Sequence, residues 1–189
     1  MRKIIVSNMV SLDGYFEGTD GDLSWHLVDD EFHHYAVEML DSADLILFGR
    51  KTYEMMASYW ADEAAITKDP VIAGKMNGLA KIVFSSSLDQ VEWNNSSLLK
   101  DDIELNIKKL KEKPGKDILI LGSGGIVSAF TQLGLIDEYR IIINPIILGA
   151  GKLQFTGVTE KKMLNPAKVR ALKSGVVILY YESIKHLKQ

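Results

Sequence analysis

Asp44-Leu45-Ile46-Leu47-Phe48-Gly49-Arg50-Lys51-Thr52-Tyr53-Glu54 changes character at its middle. Leu45–Phe48 is an unbroken apolar run of strand length, the pattern of a strand covered on both faces. A helix begins directly after Gly49. Two cations in the first turn of a helix oppose its dipole, which favours negative charge there by about 0.3–1 kcal/mol per group. An anion at the helix start would resolve that conflict. Backbone N–H groups, the Thr52 hydroxyl and the charges of Arg50 and Lys51 would share one phosphate, with Gly49 letting it approach the backbone closely. Solvated surface cations beside a helix cap account for this segment alone equally well.

Working outward, the same strand-then-helix alternation recurs. Strand-length apolar runs fall at Ile4–Val10, where Ser7 and Asn8 interrupt, and at Lys81–Phe84, Ile118–Leu121, Tyr139–Ile143 and Val176–Tyr181. Phe32, Tyr35, Ala36, Met39, Leu40 and Ala43 recur at helical spacing, as do Ile126, Val127, Phe130 and Leu133 before a stop at Gly134. Asp102–Lys113 places Ile103, Ile107 and Leu110 on one face and lysines on the other. Strands alternating with helices predict an α/β sheet covered on both faces. Val169–Lys173, Ser174-Gly175 and Val176–Glu182 read as a tight hairpin, so the sheet is mixed. Asp62–Gly78 is expected to be an irregular excursion or a short helix limited by Pro70. Residues 1–184 read as one domain, and 185–189 as a tail expected to fray.

Composition narrows the function classes. Of 189 residues, 47% are hydrophobic and 25% charged, which is ordinary for a globular domain. A net charge of −3 gives no electrostatic reason to expect nucleic acid or an anionic membrane as partner. There is no cysteine, which removes disulfides, a thiol nucleophile and thiolate metal sites, and fits a reducing compartment. The short apolar start is a strand rather than a signal peptide, and no stretch approaches the ~18 apolar residues of a membrane span. A cytoplasmic location is the expectation. His33 and His34 are adjacent and point to different helix faces, while His26 and His186 lack a partner at ligand spacing. No metal site is expected.

Three further segments are candidates for chemistry. Leu121-Gly122-Ser123-Gly124-Gly125 joins a strand to a helix N-terminus, with more glycine than a turn needs, and suits a pyrophosphate or ribose. It is not a Rossmann fingerprint, because Val127 stands at the third glycine. Ser85-Ser86-Ser87 follows a strand, where open α/β sheets place ligands, although serine runs after strands are more often plain loops. In Trp25-His26-Leu27-Val28-Asp29-Asp30-Glu31-Phe32, Asp29 or Asp30 caps the helix, and a carboxylate at a helix start beside a Trp is also a candidate general acid.

Together these segments resemble the dihydrofolate-reductase-like superfamily, and within it small bacterial proteins similar to the reductase domain of the riboflavin-biosynthesis deaminase–reductase. The landmarks are Ser11-Leu12-Asp13-Gly14-Tyr15, Gly49-Arg50-Lys51-Thr52-Tyr53-Glu54, Leu121-Gly122-Ser123-Gly124-Gly125, Gly134-Leu135-Ile136-Asp137-Glu138, and Asn144-Pro145-Ile146-Ile147-Leu148-Gly149-Ala150-Gly151-Lys152. The resemblance implies a three-layer α-β-α fold whose mostly parallel sheet ends in an antiparallel C-terminal hairpin. It implies NADPH as cofactor. Arg50, Lys51 and Thr52 after Gly49 would hold the adenosine 2′-phosphate, Ser85 and Ser86 would lie near adenine and ribose, and Gly122, Ser123, Gly124 and Gly125 would face nicotinamide and pyrophosphate. Members can hold a cis peptide at that last turn. Leu12, Asp13 and Gly14 would begin a mobile loop over the nicotinamide. Leu12, Tyr15 and Trp25 would contact a pterin- or pyrimidine-like substrate, such as the phosphoribosylamino-pyrimidine of riboflavin synthesis. Asp30 would supply the proton, with Asp13 the second candidate. These 189 residues hold no cysteine for a zinc deaminase motif, and Tyr15 stands where the riboflavin reductases usually have a Lys. A homodimer is expected, with its interface sought at Ile141–Leu148. The rival reading is a nucleotide-binding protein, or a homodimer of the same fold, without catalysis.

Overall fold

The computed structural model describes residues 1–184; the expected tail at 185–189 lies outside them. The chain runs β1 (Ile4–Ser11), β2 (Tyr15–Glu17), α1 (Asp30–Asp41), β3 (Ala43–Gly49), α2 (Arg50–Trp60), α3 (Glu63–Lys68), α4 (Pro70–Gly78) and β4 (Ala80–Phe84). It continues through β5 (Ser96–Leu99), α5 (Ile103–Glu112), β6 (Asp117–Leu121), α6 (Gly124–Gln132), β7 (Glu138–Asn144), β8 (Lys152–Leu153), β9 (Leu164–Ala171) and β10 (Val177–Ser183). One eight-stranded sheet has the order β5-β4-β3-β6-β1-β7-β10-β9, and β2 pairs separately with β8. Strands β5 through β7 are parallel neighbours, and β10 runs antiparallel to both β7 and β9. This is the expected three-layer fold.

The two-residue period of a strand sorts the core into two halves. Ile5, Ile46, Phe48, Leu119 and Leu121 point to the face covered by α1, α2 and α4, against Tyr35, Tyr53 and Ile72. Ile4, Val6, Leu45, Leu47, Ile118 and Ile120 point to the opposite face, against Ile107 of α5 and Val127 and Phe130 of α6. Consecutive apolar residues therefore serve different layers, which is why these strands read as unbroken runs.

Local chemistry sets the boundaries. The Asp29 carboxylate caps α1 by accepting the Phe32 N–H at 2.7 Å. The 62–78 excursion is two helices. Asp62 caps α3, and Asp69 accepts the Ile72 N–H to cap α4. Pro70 opens α4 rather than limiting it, since a first-turn proline has no N–H to satisfy. The C-terminal turn closes with Leu172 donating to the Val176 carbonyl at 2.8 Å, and Gly175 takes the positive φ (89°) it requires. β9 lies further towards the N-terminus than its expected 169–173, carrying Pro166 on the sheet edge, where proline is tolerated. Residues 141–144 of the expected dimer interface lie in β7, whose backbone is paired on both sides by β1 and β10. Of the remainder of that segment, Ile147 is 70% exposed. No helix among the described residues is long and apolar enough to cross a membrane.

Candidate active site

Parallel pairing brings the C-terminal ends of β1, β3, β4 and β6 to one edge: Gly49 faces Phe84, and Ser7 faces Leu121. The crevice outside these ends is where open α/β sheets bind ligands. Two helices start there, and both lack a side-chain cap. α2 begins after Gly49 and α6 after Ser123, and neither has an acidic residue in its first turn. Uncapped N–H groups and two positive dipole ends therefore face one crevice without a carboxylate to neutralise them.

The two starts are bound to each other. Gly49 N–H donates to Ser123 Oγ at 3.0 Å, and Ser123 N–H donates to Thr52 Oγ1 at 3.0 Å. Close packing here requires glycine. A Cβ at Gly122 would lie 2.9 Å from Thr52 Cγ2, and one at Gly124 would lie 2.7 Å from the Phe16 ring. Gly122 and Ser123 both hold positive φ, and every peptide bond among the described residues is trans, including those of this turn. Gly125 is different, with open space where its Cβ would stand. Arg50 is exposed and pairs with Glu54 at 3.5 Å. Ser85 turns its hydroxyl inward to accept the Ser87 and Leu88 N–H groups, while Ser86 is exposed.

A cavity of about 350 Å³ adjoins this double helix start. Lys51, Thr52 and Gly122 line it, together with Asn8, Glu17 and His26 and an apolar wall from β1, α1 and α2. Asn8, 3% exposed, accepts the Gly122 N–H at 2.7 Å and donates to the Gly122 carbonyl at 2.9 Å. It also donates to Gln154 Oε1 at 3.0 Å, and Gln154 Nε2 is buried without a partner. His26 Nε2 is likewise buried and unpartnered. Burial holds the His26 imidazole down at about 4, against a weaker upward pull from Asp22, so the ring is neutral at physiological pH. The sequence signal for Asn8 was the polar break in the first apolar run. His26 and Glu17 gave none, because their place on the wall depends on how the 15–27 segment folds back.

The expected proton donors sit elsewhere. Asp30 is exposed at the first turn of α1 and is not among the wall residues; Phe32 and Met39 of that helix are. Asp13 braces two loops, accepting Ser11 Oγ at 2.6 Å and the Leu148 and Gly149 N–H groups at 3.1 and 2.8 Å. These bonds, the Ser11 hydroxyl's foremost, hold its carboxyl down at about 2, which suits a fixed anion and not a proton donor near neutrality. Leu12 is 63% exposed, and Tyr15 packs its hydroxyl toward Gly149. Neither lines the cavity. Trp25 is buried, donates to the Asp22 carbonyl and meets the His26 ring edge-on at 4.4 Å. Among the described residues no cluster of His, Asp or Glu could hold a metal ion.

Sheet order, layers and crevice define a dihydrofolate-reductase-like α/β protein. The chain belongs to the RibD C-terminal domain family, the reductase domain of the riboflavin-biosynthesis deaminase–reductase, whose model matches residues 2–178. It is 32% identical over 180 residues to YyaP of Bacillus subtilis, covering 95% of this chain and 94% of that one, and 26% identical to YwjB of the same organism; both are described as uncharacterized proteins. Its fold matches a putative riboflavin biosynthesis protein from Shewanella sp. PV-4 (TM-score 0.77, 24% identity, 97% of this chain and 99% of that one). It also matches a deaminase/reductase of Thermotoga maritima (TM-score 0.71, 17% identity), covering 97% of this chain but only 57% of that larger one.

Proposed function

We propose that the chain is a cytoplasmic, homodimeric, NADPH-dependent reductase acting on a C=N or C=O carbon of a small heterocycle. Family membership supports a reductase-like role in the chemistry of riboflavin biosynthesis. The observation that carries the cofactor is the pair of uncapped helix starts joined through Gly49, Thr52, Gly122 and Ser123 beside the cavity. A dinucleotide's phosphates fit that cradle: the glycines leave the backbone bare, both dipoles are positive, and Arg50 and Lys51 add charge suited to a 2′-phosphate. Bound there, a reduced nicotinamide supplies the hydride. The protein's share is to position the acceptor, exclude water and hold the proton.

Glu17 is the carboxylate on the cavity wall and becomes the first candidate for proton supply, directly or through a water; Asp30, exposed and off the wall, could act only through solvent. The discriminating experiment is steady NADPH oxidation with a panel of heterocyclic imines and ketones. Glu17→Gln is expected to lower kcat by about 100-fold or more, with Asp30→Asn within about threefold of wild type. The reverse ranking would return the role to Asp30. No turnover with any acceptor would leave a nucleotide-binding protein of reductase fold.

A further inference from the structure

The cavity next to the double helix start carries more information about its occupant than the family does. Four methionines, Met9, Met39, Met55 and Met56, and two phenylalanines, Phe16 and Phe32, dominate the apolar part of its wall. Thioether side chains are adaptable and polarizable, and pack well against flat aromatic rings. The ionisable wall residues are few: Glu17, Lys51 and His26. None of the four arginines faces in. Arg2 pairs with Asp44, Arg50 with Glu54, Arg140 with Glu138, and Arg170 with Glu38. Lys51, the only wall cation among the described residues, stands at the start of α2, where the proposed cofactor site needs it.

Among the polar residues of this wall, His26 carries a buried ring nitrogen without a partner. Its Nε2 is out of reach of bulk solvent and no protein atom takes it up. A buried polar atom left unpaired loses its hydration with nothing in return, so a partner supplied by a ligand recovers that cost. The surroundings favour the uncharged ring, which can donate through one nitrogen and accept through the other. Trp25 fixes the imidazole from the side.

We propose that the cavity takes a flat, uncharged aromatic heterocycle without a phosphate, and that His26 selects it through one hydrogen bond from Nε2. This rests on the reductase reading for the identity of the neighbouring site, and it changes the substrate class. The phosphoribosylamino-pyrimidine expected from the resemblance is polar and anionic, and this wall offers its phosphate no arginine. An apolar ring of two fused cycles suits both the volume and the sulfur-rich wall.

The test is a calorimetric titration with phthalazinone, a neutral fused lactam with a C=N bond, and with its ring-carboxylated anion. Each is added to the whole protein alone and with saturating NADPH. Phthalazinone is expected to bind at least about tenfold more tightly than the anion, a difference of about 1.4 kcal/mol. His26→Phe, which keeps the flat apolar shape, should weaken phthalazinone by about tenfold without altering NADPH affinity, and His26→Gln should restore part of the loss. Equal or tighter binding of the anion overturns the proposal, as does undetectable phthalazinone binding or a His26→Phe effect under about twofold. The wild-type comparison of the two probes stands even if a variant fails to fold. Phthalazinone binding without NADPH binding would sink the reductase reading and spare this one; NADPH binding without phthalazinone binding would do the opposite.

Discussion

Gly125 stands at the second position of α6, exposed, with nothing to obstruct a side chain. Aspartate there suits the helix: it replaces a residue that costs ~1 kcal/mol relative to alanine, and it puts negative charge at a positive dipole end. The same charge would oppose a phosphate at the helix start. Gly125→Asp should therefore raise or preserve the melting temperature while weakening NADPH by at least about tenfold. Unchanged NADPH affinity would mean that no phosphate comes near α6. His26 gives a separate prediction through pH. Its folded value of about 4 lies below an unfolded value of ~6.5, so the unfolded chain binds the extra proton between them. The stability linked to His26 is full above pH ~6.5 and falls away as pH drops toward 4. Asp13, held at about 2, keeps its contribution until pH falls below ~4, so the two windows separate. Denaturant midpoints measured across that range should slope for wild type and flatten for His26→Phe; parallel curves would refute the buried, neutral ring. The His26 window was not legible in the sequence, where a lone histidine in a loop carries no sign of burial.

At the scale of elements, β1 and the β6–α6 turn act as one unit through Asn8. Both polar ends of its amide go to the backbone of Gly122, and Gln154 packs on the same nitrogen. Asn8→Leu should destabilise the fold by about 3 kcal/mol, because it leaves buried peptide groups unpaired. Chemical denaturation within about 0.5 kcal/mol of wild type would show that solvent satisfies them instead. Elements with strong period were readable: the central strands and the helices α1, α5 and α6 fall within a few residues of expectation. β5, with sequence Ser-Ser-Leu-Leu, and the two- and three-residue strands β8 and β2 were not, because pairing with a neighbour and not their own pattern makes them strands. The displaced carboxylate has a similar cause. Phe32 and Met39, two turns apart, face the cavity, and Asp30 lies about 200° around the helix from Phe32. Counting along the chain located the helix start but not the phase of the helix.

Across the whole molecule, the strand crossings decide where chemistry can occur. They place Gly49, Ser85 and Gly122, far apart in sequence, at one sheet edge, so the phosphate-type elements were legible as segments and their convergence follows from the fold. The cavity beside them was not legible, since its wall draws on β1, α1, α2 and a loop that no periodicity describes. Sequence alone therefore reached the two helix starts and not the cavity beside them. The central claim is that this convergence is a nicotinamide dinucleotide site selective for the 2′-phosphate. Calorimetric titration of the wild-type protein and Arg50→Ala with NADPH and NADH tests it most directly. The expected result is tight NADPH binding, weak NADH binding, and a loss of about tenfold or more in Arg50→Ala that falls on NADPH alone. Failure of both cofactors to bind the wild-type protein would contradict the claim and leave only the fold.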